Sequence, residues 1–277
     1  MREKRTWRDL PAESADDLQN LDGFSYIPPA TGSQVSIPVA LYYDILHLLC
    51  TITEERRFWS ICAAVLHDAC KRLDPHCLGV QLSIVQYTPP VNGNIVRCLQ
   101  ERAALGTPPW SEQLGRSGRF FGAESLVGSA TVPCRRQVFV DVGKAHCPPD
   151  HLPEHAMSAA ASPIVYAGRA AGCLLAVSTQ PDFFSQTAQL DLILNYAQLL
   201  TLAFRPEDYY QRERIDLSIL PSLQEQQAAI STLPQRIVEL VKKAVLQRNP
   251  ISYDVAEQHA LWQIEAELLQ SSPPPAG

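Results

Sequence analysis

The ten residues from 146 to 155 hold His146, Cys147, Asp150, His151, Glu154 and His155. Imidazole nitrogens, a thiolate and carboxylates at this spacing are the donor set of a zinc or other transition-metal site. The same segment carries Pro148, Pro149 and Pro153. Those prolines prevent a helix from presenting its histidines one turn apart. The plainer reading, a histidine-rich surface loop, is preferred, and no metal site is assigned. A second chemistry would use Cys147 as a thiolate nucleophile beside one of the loop histidines, which needs a lowered thiol pKa. No other nucleophile–base pair is legible: the chain has no Gly-x-Ser-x-Gly, no P-loop and no His-Glu-x-x-His. No catalytic residue is assigned and no cofactor is specified. Phe120 and Phe121 could wall a planar ligand, although adjacent phenylalanines are more often core.

Around this loop the chain reads as α+β. Two helices come first, from Pro38 to Cys50 and from about Thr53 to Leu73. Proline is tolerated at the first helical position, and Asp74-Pro75 closes the second helix. Phe58, Ile61, Cys62, Val65, Leu66 and Cys70 form its apolar stripe. Alternation over 77–88 predicts a first strand, and 95–100 a second. Residues 102–119 hold Gly106, Pro108, Pro109, Gly115 and Gly118. A third strand is expected over 137–142, then the loop 143–156.

The most strongly patterned stretch is 157–204. Two apolar runs, ending in Ser162-Pro163-Ile164-Val165-Tyr166 and spanning Ala170 to Ser178, flank Ala167-Gly168-Arg169. That is a β-hairpin pattern. Ser185 is the expected N-cap of a helix from Gln186 to Phe204. Leu190, Ile193, Leu194, Ala197, Leu200 and Phe204 line one face of it. Leu192, Leu199 and Leu202 form a second apolar edge. Residues 207–232 are mostly polar. Two further helices are expected over 233–247 and from Ser252 or Asp254 to 269.

The small-residue run into Ser-Pro-Ile, the Tyr166–Ser178 hairpin, Pro181-Asp182-Phe183-Phe184-Ser185 and the long helix after it resemble the C-terminal half of a GAF domain. The resemblance implies a long, variable excursion, which residues 102–119 fit, and the segment 122–131, with Glu124-Ser125-Leu126-Val127-Gly128, resembles that family's short middle helix. The resemblance implies a central, mainly antiparallel sheet of five or six strands with the terminal helices on one face. It implies a pocket on the other face, under 102–121 and 143–156. Phe120, Phe121, Asp141, Cys147, His151, His155 and Ser162 are the candidate ligand contacts there. Pro149-Asp150-His151-Leu152 is weakly similar to the phytochrome Pro-x-His-Leu, but the Cys-His dipeptide of bilin attachment is absent. Leu126-Val127-Gly128 stands where the methionine-sulfoxide-reducing branch has Val-Cys-Gly, which counts against that enzyme. The Asn-Lys-x-n-Phe-x3-Asp-Glu pattern of cyclic-nucleotide binders is not found. Family members often dimerise through flanking helices, and the second apolar edge fits that use.

The organisation expected is a flexible arm (1–37), a GAF-like sensor domain with its linker helix (38–205), a helical extension (206–270) and a disordered tail (271–277). A net charge of −6 offers no global field for nucleic acid or membrane phosphate. No apolar run is long enough to span a bilayer, and the N-terminus lacks a signal-peptide h-region. The eight cysteines contain no Cys-x-x-Cys pair, and four of them (Cys50, Cys62, Cys70 and Cys173) sit in apolar patterns, as reduced cytoplasmic cysteines do. The function expected is a non-enzymatic, dimeric regulatory module that senses a small molecule or partner. The alternative is an adaptor with a vestigial pocket, its helical ends recruiting proteins.

Overall fold

Pro38 precedes α1 (Val39–Thr51), and Thr53 precedes α2 (Glu54–Leu73), whose first turn carries Glu54 and Glu55 and whose last carries Lys71 and Arg72. That charge placement complements the helix dipole at both ends. The computed structural model describes residues 36–90, 95–115, 118–141 and 151–271. The expected arm, apart from Ser36 and Ile37, the tail after Ser271, and the candidates His146 and Cys147 lie outside the described residues.

Six strands form one antiparallel sheet in the order β3-β2-β1-β6-β5-β4. They are β1 (Val80–Tyr87), β2 (Leu99–Gly106), β3 (Phe120–Phe121), β4 (Gln137–Phe139), β5 (Ser158–Tyr166) and β6 (Arg169–Ser178). The β5–β6 hairpin turns through Ala167 and Gly168, at φ 49° and 73°. Two left-handed central residues match the right-handed twist of the strands they join. Beyond the turn, β6 approaches β1 so closely at Gly172 that an added Cβ would lie 2.0 Å from the Val85 carbonyl oxygen. Only glycine fits there.

The two faces of the sheet are covered differently. Leu82, Ile84, Ala103, Leu105, Leu174 and Ala176 pack under α1, α2 and α4 (Thr187–Leu200). Val85, Leu99, Phe121, Ala159, Ala161, Cys173, Leu175 and Val177 pack under α3 (Leu126–Thr131). Ser125 caps α3, its Oγ accepting from the Gly128 amide at 3.0 Å.

Several sequence expectations are corrected. The second strand runs over 99–106, so it occupies part of the expected excursion; its pairing to β1 carries a bulge at Ile84/Val85. The Phe120-Phe121 pair is itself a short strand on β2. The third expected strand stops at Phe139. Ser185 does not cap α4: it ends a 3-10 turn, and the helix starts behind Gln186 without a side-chain cap bond. Leu192 and Leu199 are buried, so α4 offers no continuous second apolar edge; Leu202 alone of the three is exposed.

After α4 the chain returns across the sheet. Ala170 and Tyr210 exchange backbone hydrogen bonds, and Val96 bridges Ile215 in parallel. The Ser218 amide donates to the Arg97 carbonyl and the Ala123 amide to the Ser218 carbonyl. Three helices follow: α5 (Leu223–Ile230), α6 (Leu233–Leu246) and α7 (Tyr253–Ser271). Helix α5, which starts with a Ser222/Glu225 capping box, lies in the mostly polar run 207–232, where the sequence pattern predicts no helix. Helices α6 and α7 pair through Ile237, Ala256 and Ala260. The Arg236 guanidinium donates both arms to Glu267, at 2.7 Å each. Ile264 and Leu268 of α7 then close over Phe120, Cys98 and Leu220. Among the described residues no helix is long and apolar enough to cross a membrane.

Candidate functional site

The expected pocket lies on the α3 face. Phe121 and His151 meet there, ring centroids 6.3 Å apart. His151 is buried, and its Nε2 lies 3.2 Å from both the Pro221 carbonyl oxygen and Glu124 Oε1. Both neighbours are acceptors, so Nε2 carries the proton. Its Nδ1 is buried without a hydrogen-bond partner. Glu124 is itself fixed, accepting from the Gly122 amide at 3.0 Å and the Leu220 amide at 2.9 Å. Thus His151 ties the sheet to the returning C-terminal chain. The space between Phe121, Leu126, Val127, His151, Leu152 and Leu175 does not admit a water molecule. The described side chains fill this region.

The remaining candidates do not converge on it. Phe120 points through the sheet to the opposite face, into the cluster under α7. Ser162 alternates with Ala160 and Ile164, so it shares the α1–α2–α4 face, where its Oγ is buried without a partner. Asp141 is half-buried, just past β4 at the far edge of the sheet from β3. His155 is exposed, at φ 70°. Among the described residues no cluster of histidine, cysteine, aspartate or glutamate has metal-binding geometry. The described buried thiols are poor nucleophiles at neutral pH. Burial pushes the Cys70 thiol up to about 12, with Asp74 adding to it, and burial likewise raises Cys62, Cys98 and Cys173.

The open space lies elsewhere, where the C-terminal helices meet the sheet. A cleft of about 340 Å³ separates the start of α2 from α7. Its lining includes Arg57, Phe58, Gln86, Gln100, Arg102, Phe120, Asp208, Trp262 and Glu265. A second cavity of about 830 Å³ continues along the α2–α7 seam past Trp59, Gln258 and Leu261. Arg57 Nε is buried without a hydrogen-bond partner. The Arg102 guanidinium sits 5.8 Å from the Phe58 ring centroid. Gln86 donates to Asp208 Oδ1 at 3.0 Å.

Two polar residues hold the extension in place. Gln226 is fully buried; its Oε1 accepts from the Phe120 amide at 3.0 Å and its Nε2 donates to the Phe120 carbonyl at 3.1 Å. One side-chain amide thus supplies both bonds that a neighbouring strand would give Phe120. Glu265 Oε1 accepts from Thr88 Oγ1 at 2.7 Å and from the Cys98 thiol at 3.2 Å. Its Oε2 is buried without a partner. Burial raises the Glu265 carboxyl pKa, while the bonds from Thr88 and Cys98 pull it back down. Neither residue stood out in the sequence. Glu265 flanks the α7 stripe between Ile264 and Leu268, the one available signal; Gln226 sits in the polar run Gln224-Glu225-Gln226-Gln227.

The antiparallel sheet, the two leading helices, the capped middle helix and the closing hairpin and helix make this a GAF-like α+β domain. No family model matches the chain, and no curated protein matches it. Similar solved structures include the type II free methionine-R-sulfoxide reductase of Thermoplasma acidophilum, at 15% identity over 57% of this chain and 98% of that one, TM-score 0.38. The GAF domain of an Acinetobacter phosphoenolpyruvate-protein phosphotransferase aligns at 14% identity over 59% of this chain and 89% of its own, TM-score 0.39. The nlh2 GAF domain of A. aeolicus aligns at 16% identity over 60% and 94%, TM-score 0.38.

Proposed function

We propose that this protein is a non-enzymatic regulatory module whose GAF-like sheet holds its own C-terminal helices as a releasable output. The observation that carries the reading is the join between them. It consists of buried polar contacts through Gln226, Glu265 and His151, with an open cleft beside Glu265. A ligand or partner entering that cleft touches the sheet and α7 together. It can therefore shift the balance between docked and released helices by its differential affinity for the two states. The raised pKa values of the buried thiols support the non-enzymatic part of the reading.

The module acts as a homodimer through the outer face of α1. Val39, Tyr43 and Leu46 are 67%, 69% and 55% exposed at helical spacing, an apolar stripe on a helix that precedes the sheet. The adaptor reading, with a vestigial pocket, is favoured by the filled α3 face. Both readings use the C-terminal helices as the partner surface.

Native mass spectrometry of the full-length protein tests the proposal. A dimer that becomes a monomer in Tyr43→Asp and Leu46→Asp, with the fold retained, is the expected result. A wild-type monomer at micromolar concentration contradicts the dimeric mechanism. Extra non-protein mass on the dimer supports the small-molecule sensor; a clean dimer leaves a weakly binding sensor or the adaptor.

A further inference from the structure

Two residues that line the same cleft each carry a buried polar atom without a partner among the described residues: a donor, Arg57 Nε on α2, and an acceptor oxygen, Glu265 Oε2 on α7. They do not satisfy each other, although their pairing would remove both deficits. Buried polar groups in folded proteins are nearly always hydrogen-bonded, so a donor and an acceptor left open at one cavity specify what belongs between them. The occupant offers an acceptor to Arg57 and a donor to Glu265.

The rest of the lining narrows the chemistry. Arg57, Arg102 and Arg205 are opposed by Glu54, Glu55, Asp208 and Glu265, and Arg205 Nε already lies 3.4 Å from Glu54 Oε1. Between Arg57 and Glu265, a simple anion or a simple cation would compensate only one of the two, whereas a zwitterion compensates both. Phe58 and Trp262 add apolar wall. A volume of about 340 Å³ suits a small metabolite.

We propose that the α2–α7 cleft binds a small zwitterion of the α-amino-acid type, its carboxylate on Arg57, its ammonium on Glu265 and its side chain against Phe58 and Trp262. An ammonium at Oε2 satisfies the open acceptor and favours the ionised carboxylate. The proposal rests on the regulatory reading for its consequence, since a ligand spanning α2 and α7 pins the C-terminal helices; its chemistry stands independently.

The test uses the full-length chain. Thermal unfolding and intrinsic tryptophan fluorescence are followed with each of the standard α-amino acids up to about 10 mM, a range that captures weak metabolite binding. Any amino acid that binds is compared with its decarboxylated amine and its deaminated acid. The expected result is saturable binding of at least one amino acid, with both truncated analogues weaker by about tenfold or more, as loss of a charge-assisted contact requires. Arg57→Gln and Glu265→Gln are each expected to weaken binding by about tenfold or more. Arg57 Nε has no partner among the described residues, so Arg57→Gln decides the matter even where Glu265→Gln disturbs folding. No saturable shift with any amino acid overturns the proposal, as does binding that Arg57→Gln leaves unchanged. Hydrogen exchange of α7 with the bound amino acid separates the two claims. Unchanged α7 protection beside confirmed binding removes the regulatory reading and leaves the site standing.

Discussion

At the scale of single residues, Gln226 and Glu265 carry the join, and each makes an expectation. Gln226→Leu leaves the Phe120 amide and carbonyl buried without partners. Each such group costs about 1–3 kcal/mol, so a loss of about 2–4 kcal/mol is expected in urea unfolding. A variant as stable as wild type would show that the edge of β3 does not depend on this amide. Glu265 makes stability depend on pH. Its folded pKa lies above its unfolded value, so the native state holds more protons between the two values. Stability therefore falls as pH rises through that window and is greatest below it. Asp208, also raised by burial, contributes with the same sign. Glu265→Gln is expected to flatten that fall in stability, the direction linkage requires; urea titrations in mildly acidic and in neutral buffer check it. The cysteines give a third expectation. Cys50 and Cys77 are exposed, while Cys62, Cys98 and Cys173 are buried with raised pKa values. In native protein, alkylation mapped by mass spectrometry is expected at the exposed pair and withheld from these buried three; rapid modification of Cys62 or Cys173 would contradict the packing. Little of this was legible in the sequence. The pattern placed Cys50, Cys62, Cys70 and Cys173 among apolar residues; the last three are buried, but Cys50, near the end of α1, is exposed. The pattern also drew attention to Phe121 and His151, which do meet. It could not show that they meet in a filled region, because packing density has no periodicity.

At the scale of elements, local chemistry and reading agree best where turns and alternation coincide. The β5–β6 hairpin was legible because Gly168 and alternating apolar residues mark it, and α2 because its stripe is long. The end of β2 was not legible. Ala103, Ala104, Leu105 and Gly106 are small or apolar without clear alternation, and the bulge against Ile84 and Val85 breaks the period. Helix α5 was hidden because only one of its residues, Gln226, is buried, and that one is polar. Gly172 is the element-level test. Gly172→Ala drives a Cβ to 2.0 Å from the Val85 carbonyl and forces β6 away from β1. A loss of about 3 kcal/mol or more is expected in thermal or urea unfolding, among the larger single-site effects. Gly168→Ala, with open space around it, is expected to cost far less despite its φ of 73°.

At the scale of the whole molecule, the account turns on one relation: a GAF-like sheet with its own C-terminal helices docked on it. The main clusters on the two sheet faces are large and apolar. The clusters under α5, α6 and α7 are smaller and separate, and polar side chains carry much of the contact. Such a region opens at lower free energy than the core it rests on. Amide hydrogen exchange of the full-length protein, read segment by segment, tests this most directly. Helices α5, α6 and α7 are expected to exchange together, faster than β1, β5 and β6 yet well protected against random-coil rates. Gln226→Leu is expected to speed that unit while leaving β1, β5 and β6 less affected. Exchange of α7 only in the same global event as β1 and β6 would contradict this, because the helices would then be part of one indivisible core.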